Sequence, residues 1–127
     1  VYDSSDDEHK DEIDIKKGGI FILVQSIRAL ALEHKLMRIS TLRRIEELQE
    51  LGELEEEFAQ EISEAFNFFN TIKLKSNLEK LDAKQKIDNY INPESLNTME
   101  KDLLKDSFKI VNKLKKKLEH HYKLNYV

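Results

Sequence analysis

The stretch from Gly18 to Leu36, GGIFILVQSIRALALEHKL, constrains this chain most, because its apolar side chains leave little room for a solvent face. After the glycine pair, Ile20, Leu23, Val24, Ile27, Leu30 and Ala31 fall at i, i+3, i+4, i+7, i+10 and i+11, the spacing of a helix. Ile20 to Val24 alone would pass as a buried strand, but no turn residue interrupts the chain before Ser40. Polar residues enter only at Gln25, Ser26, Arg28 and the Glu33 to Lys35 end, so the expectation is a central helix enclosed by others. Arg28 then lies between Val24 and Leu32, where a cation needs a partner.

With 127 residues, one domain with a core of its own is expected. There is no cysteine, which excludes disulfides and thiolate metal sites. The longest uninterrupted apolar run, Ile20 to Val24, is far short of the ~18 residues of a membrane span. The acidic start is the reverse of a signal peptide, so the expectation is a cytoplasmic protein. Residues 1–14 read as an acidic linker or lead-in, and 15–127 as the helical domain of a longer chain, since the first residue is Val1.

Charge is segregated along the sequence. Ile45 to Glu64 holds nine glutamates and no base, whereas Lys109 to Val127 holds six lysines against Glu119 alone. Such segments complement each other within a fold, and a nucleic-acid binder would more often show an uncompensated basic face. No nucleic-acid or membrane partner is expected.

Further along, Ser40 is placed to cap a helix over Thr41 to Leu51, with Leu42, Ile45 and Leu48 inward and Gly52 closing it. Leu54, Phe58, Ile62, Ala65, Phe66, Phe69, Ile72, Leu78 and Leu81 extend a helical pattern for nearly thirty residues. Asp82 to Glu94, with the single proline Pro93, reads as a connection. Asn97 followed by Glu100 resembles a capping box and opens a last helix bearing Leu103, Leu104, Phe108, Val111, Leu114, Leu118 and Tyr122. The expected fold is therefore all-α, a four- to five-helix bundle without strands. A central apolar helix and its short follower pack across a long antiparallel pair.

Few residues carry recognisable chemistry. Gly18 and Gly19 lack the further glycines and the lysine of a phosphate-cradling loop, and serve instead a tight turn or a close approach. The adjacent His120 and His121 point apart and have no carboxylate at i+3 or i+4, so no metal site is expected. Arg28 and His34 share the R-x5-H spacing of the HEPN ribonucleases, yet about 120° of helix separates them. Lys73 follows Phe66 and Phe69 on the apolar face, with Asn77 one turn beyond. Arg28 and Lys73 are thus two inward cations. Either they neutralise buried carboxylates such as Glu64, Asp88 or Glu100, or they line a pocket for an anion. Asn89 fits a turn that bonds backbone.

The order IDIKKGG (13–19), R-x-LAL-E-H (28–34), ST-x-R-R-I-x-x-L (40–48), EAFNFFNTIKLKSNL (64–78), DNYINPESLN (88–97) and EKDLLKDSFKIV (100–111) resembles the nucleotidyltransferase substrate-binding domain. This is a bacterial helical domain found C-terminal to a GlnD-like nucleotidyltransferase domain, one similar to PII-protein uridylyltransferase. The resemblance implies an accessory role in signal transduction, behind CBS or cyclic-nucleotide-binding domains. It implies no catalytic residue and no cofactor in this domain, and assigns Mg and a nucleoside triphosphate to the transferase domain. Acceptor binding would fall to Arg28, Lys73, Asn77 and Asn89. The implied partners are the upstream nucleotidyltransferase domain and a protein acceptor. The family usually has arginine at Lys73 and glutamine at Asn77, so the planar fork of an arginine is missing here. A rival reading is a protein–protein interaction or dimerisation bundle, forming a homodimer through its charged helices.

Overall fold

The structure, a computed structural model, describes residues 11–125, so most of the acidic lead-in lies outside it. A two-residue strand β1 (Ile13–Asp14) leads into a π-helical turn (Lys16–Ile20) that continues as α1 (Phe21–Glu33). Then come α2 (Thr41–Glu50), α3 (Glu56–Asp82), β2 (Tyr90–Ile91), a 3-10 turn (Pro93–Ser95) and α4 (Thr98–Asn125). The packed helices make an all-α bundle, as the periodicity predicts. Pairing of β1 with β2, antiparallel with Ile13 opposite Ile91, is a correction, because two-residue strands leave no period to detect.

The helices begin and end where local chemistry directs. Asn97 Oδ1 accepts the Glu100 N–H at 2.8 Å and Glu100 Oε1 accepts the Asn97 N–H at 3.0 Å, a reciprocal capping box at the start of α4. At the end of α2, the Gly52 N–H bonds to Gln49 O and the Glu53 N–H to Leu48 O, with Gly52 at φ +81°. This is a Schellman closure. Helices α1 and α3 close the same way, but with Lys35 (φ 57°) and Lys84 (φ 56°) in the left-handed position. Neither was legible as a stop, since glycine is the usual signal.

Helices α3 and α4 run antiparallel: Lys75 pairs with Glu100 at 2.9 Å, the rings of Phe69 and Phe108 lie 5.3 Å apart, and Lys113 sits 4.7 Å above Phe58. The acidic start of α3 therefore adjoins the basic end of α4, and Glu55, Phe58, Lys113 and Lys117 line one cleft. Leu23, Ile27 and Leu30 of α1 are sealed in the core with Ile45, Leu48, Ile62, Phe69 and Leu114. Ile13 and Ile15 are sealed with them and hold the start of the chain to the bundle. Gly19 has no space for a side chain, because a Cβ there would stand 2.9 Å from Phe69 Cζ.

Two expected faces are corrected. Helix α1 is not enclosed all round: Phe21, Gln25, Arg28 and Leu32 are exposed at i, i+4, i+7 and i+11, one continuous solvent stripe. On α3, Leu78 and Leu81 are exposed together with Leu74. The step from Ile72 to Leu78 is six residues, which turns the apolar face by about 120° and out of the core. Leu103 of α4 is likewise half-exposed while its neighbour Leu104 is buried.

Candidate functional site

The four candidate residues do not converge. Arg28 lies exposed on the outer stripe of α1, and Lys73 and Asn77 are half-buried on successive turns of α3. Among the described residues neither Arg28 nor Lys73 has a carboxylate partner, which corrects the expectation of buried ion pairs. The carboxylates are taken by others: Glu64 accepts from Gln60 at 3.1 Å, Asp88 pairs with Lys80, and Glu100 with Lys75. The Asn97 N–H, followed by the Lys75 ammonium, holds the Glu100 carboxyl below its ordinary range. Reciprocally, the Glu100 contact raises Lys75. Asn77 Oδ1 is enclosed and has no hydrogen-bond partner among the described residues.

Asn89 has a dual position. Its carbonyl accepts the Ile15 N–H at 3.0 Å, the backbone role expected of a turn residue. Its side of the loop also lines a cleft of about 260 Å³ with Asp14, Lys16, Lys17 and Phe21. The loop is fixed from behind: the Lys80 ammonium bonds to Asp88 Oδ1 and, at 2.6 Å, to Tyr90 O, while Asp88 Oδ1 also accepts the Tyr90 N–H at 3.0 Å. Alongside the loop, where Asp14 pairs with Tyr90, Asp14 Oδ1 accepts the Lys17 N–H at 2.9 Å and so fixes the start of the turn. Across the π turn, the Phe21 N–H bonds to Lys16 O. That i to i+5 link brings Lys16 and Phe21 onto neighbouring turns, where α-helical winding would set them about 140° apart.

Asp14, Lys16, Lys17 and Asn89 line this cleft mainly with apolar surface, beside the Phe21 ring, which is 53% exposed. Arg28 stands on the same face of α1 as Phe21, seven residues or about 10 Å further along. Lys16, Lys17 and Phe21 were missed as site residues, although KKGG with an aromatic two residues later was readable in the sequence. What the sequence could not supply is the loop around Asn89, which arrives from across the fold. Lys73 and Asn77 do not line this cleft.

The remaining candidates are structural. His121 Nε2 lies 2.8 Å from Glu33 Oε2 and ties the end of α4 to the end of α1. His34 Nε2 approaches Glu53 at 3.5 Å, so the R-x5-H pair is divided between an exposed arginine and a half-buried histidine. Among the described residues no three His, Asp or Glu side chains gather as a metal cradle, and no helix is long and apolar enough to cross a membrane.

Fold and cleft define an all-α bundle with an open cleft, lined by Asp14, Lys16, Lys17, Phe21 and Asn89, at the start of its apolar helix. Over residues 2–122 the sequence matches the family described as "Putative nucleotidyltransferase substrate binding domain", and the chain belongs to that family. Comparison with curated proteins and with solved structures gave no match.

Proposed function

We propose that this domain is the acceptor-binding module of a bacterial signal-transduction nucleotidyltransferase of the GlnD-like type, catalytically silent alone. The observation that carries the reading is the cleft itself, which Lys16, Lys17 and Asn89 line together with an exposed Phe21, with Arg28 on the same open face. Cations that have no carboxylate partner among the described residues, near an exposed aromatic ring, suit an anionic partner far better than a packing role does. Transfer is assigned to an upstream nucleotidyltransferase domain that holds Mg and the nucleoside triphosphate, as in uridylyltransferases with CBS or cyclic-nucleotide-binding domains. Family membership supports the association with a nucleotidyltransferase, and the site supports the binding role.

The test uses the chain that carries both domains, with Lys16→Gln, Lys17→Gln and Arg28→Gln combined. The expected result is an acceptor KM at least tenfold higher with kcat little changed, the pattern of lost binding shared by ground and transition states. An unchanged KM removes the proposal.

A second reading, a protein-docking or homodimerisation bundle, is favoured by one observation, the exposed leucine stripe Leu74, Leu78 and Leu81 on α3. It expects a mass that rises with concentration in sedimentation equilibrium and falls back on Leu78→Glu. A monomer at every concentration removes the homodimer.

A further inference from the structure

Resting on the substrate-binding reading, we infer that the Asp14–Asn89 cleft takes a nucleoside phosphate, with the base against Phe21 and the phosphate on Lys16 and Lys17. Three properties of the cleft select this class of ligand. First, Phe21 keeps half its surface in water, at the head of the solvent stripe of α1. A planar apolar group laid on that ring recovers burial at about 25 cal/mol per Å², and stacking adds to it. Second, the π turn sets Lys16 and Phe21 on neighbouring turns of the same cleft, so a ligand laid on the ring leaves its charged end toward the flexible lysine side chains. Third, Asp14 lies in the same cleft with one carboxylate oxygen engaged by the Lys17 N–H. A carboxylate repels a bare phosphate but accepts from sugar hydroxyls or a base amino group. The Asn89 carboxamide can donate and accept, as an edge of a base requires.

Size points the same way. A cleft of about 260 Å³ lies just under the range of ~300–1,000 Å³ in which drug-sized ligands are enclosed. Base and sugar fill it and the phosphates stay outside, toward the lysines and, for a longer polyphosphate, toward Arg28. An acidic peptide would use the lysines but leave Phe21 and Asp14 without partners.

The experiment titrates the present chain with UMP, AMP, UTP, uridine and inorganic phosphate at matched ionic strength, following backbone amide shifts. The expected result is saturable shifts at Lys16, Lys17, Phe21 and Asn89 with the nucleotides, and weak or no shifts with inorganic phosphate. Phe21→Leu weakens nucleotide binding at least fivefold. Lys16→Gln with Lys17→Gln reduces nucleotide affinity about tenfold while leaving uridine unaffected. All three residues are exposed, and the unliganded amide spectrum of each variant reports that the fold is kept. UTP binding well ahead of UMP identifies the transfer donor as the source, whereas equal binding identifies a nucleotide acceptor. No shifts at these residues, or phosphate binding as well as UMP with no effect of Phe21→Leu, overturns the inference. If the triple variant still raises the acceptor KM in the two-domain chain, only the nucleotide assignment falls. If nucleotides bind and that KM is unchanged, only the acceptor role falls.

Discussion

Replacing Gly19 by alanine pits helix propensity against packing, and the structure decides which wins. In an open helix the change would stabilise, by up to ~1 kcal/mol, because glycine is the poorer helix former and leaves the unfolded chain more entropy to lose. Here the new methyl carbon would stand 2.9, 3.0 and 3.2 Å from three atoms of the Phe69 ring tip. Phe69 has no exposed surface and its ring packs on Phe108, so it cannot swing aside as a surface side chain would. Forcing a methyl group into such a core costs about 1–3 kcal/mol. After the propensity gain, a net loss of up to roughly 2 kcal/mol is expected, or up to about 8 °C in Tm for a domain this size. Urea unfolding of wild type, Gly19→Ala, Phe69→Leu and the double variant measures it. A shorter residue at 69 should relieve the clash, giving a coupling of at least ~1 kcal/mol. If Gly19→Ala stabilises, or if the two changes simply add, the close approach is not what keeps glycine at this position.

Other outcomes follow from the caps and the site. Lys84→Gly should raise stability by about 0.5–1 kcal/mol, since a non-glycine residue at φ 56° is strained in the left-handed region; unchanged thermal unfolding would contradict this. Asn97→Ala should cost ~1 kcal/mol through loss of the α4 cap, read from the same urea curves. For Glu100, whose carboxyl is held below its ordinary range, the stabilisation is complete above about pH 4.3 and is lost as pH falls through the lower folded value. The raised Lys75 behaves oppositely: its contribution is complete below about pH 10.4 and is lost as pH rises through the higher folded value. The wild-type advantage over Glu100→Gln should therefore be level at neutral pH and shrink in acid, and a difference that grows in acid would refute the assignment. Asn77→Leu should hold or raise stability by up to ~1 kcal/mol, because it removes an enclosed oxygen without a partner; a loss above that would show a hidden partner.

How much of this protein was legible follows from the range of each interaction. The helices, the Ser40 and Asn97 starts and the Gly52 stop rest on contacts within a few residues, so periodicity and capping chemistry were enough. The antiparallel pairing of the long helices was also readable, from their matched lengths and opposed charge. Side chains at similar spacings nevertheless went to opposite environments: Ile27 is sealed, while Arg28 and Leu32 are open. Burial depends on which face a neighbouring helix covers, and a single helix does not encode its neighbour. The same limit applied to the cations. Lys73 and Arg28 stood out in the sequence, but ion pairing went to Lys75 and Lys80, set by where α4 and the Asn89 loop come to rest. Local pattern was enough to specify a helical bundle around an apolar rod. Where that rod is left open depends on the packed fold, because the cleft forms between the turn at residue 16 and a loop more than seventy residues away, and chain reversal, not local preference, brings them together.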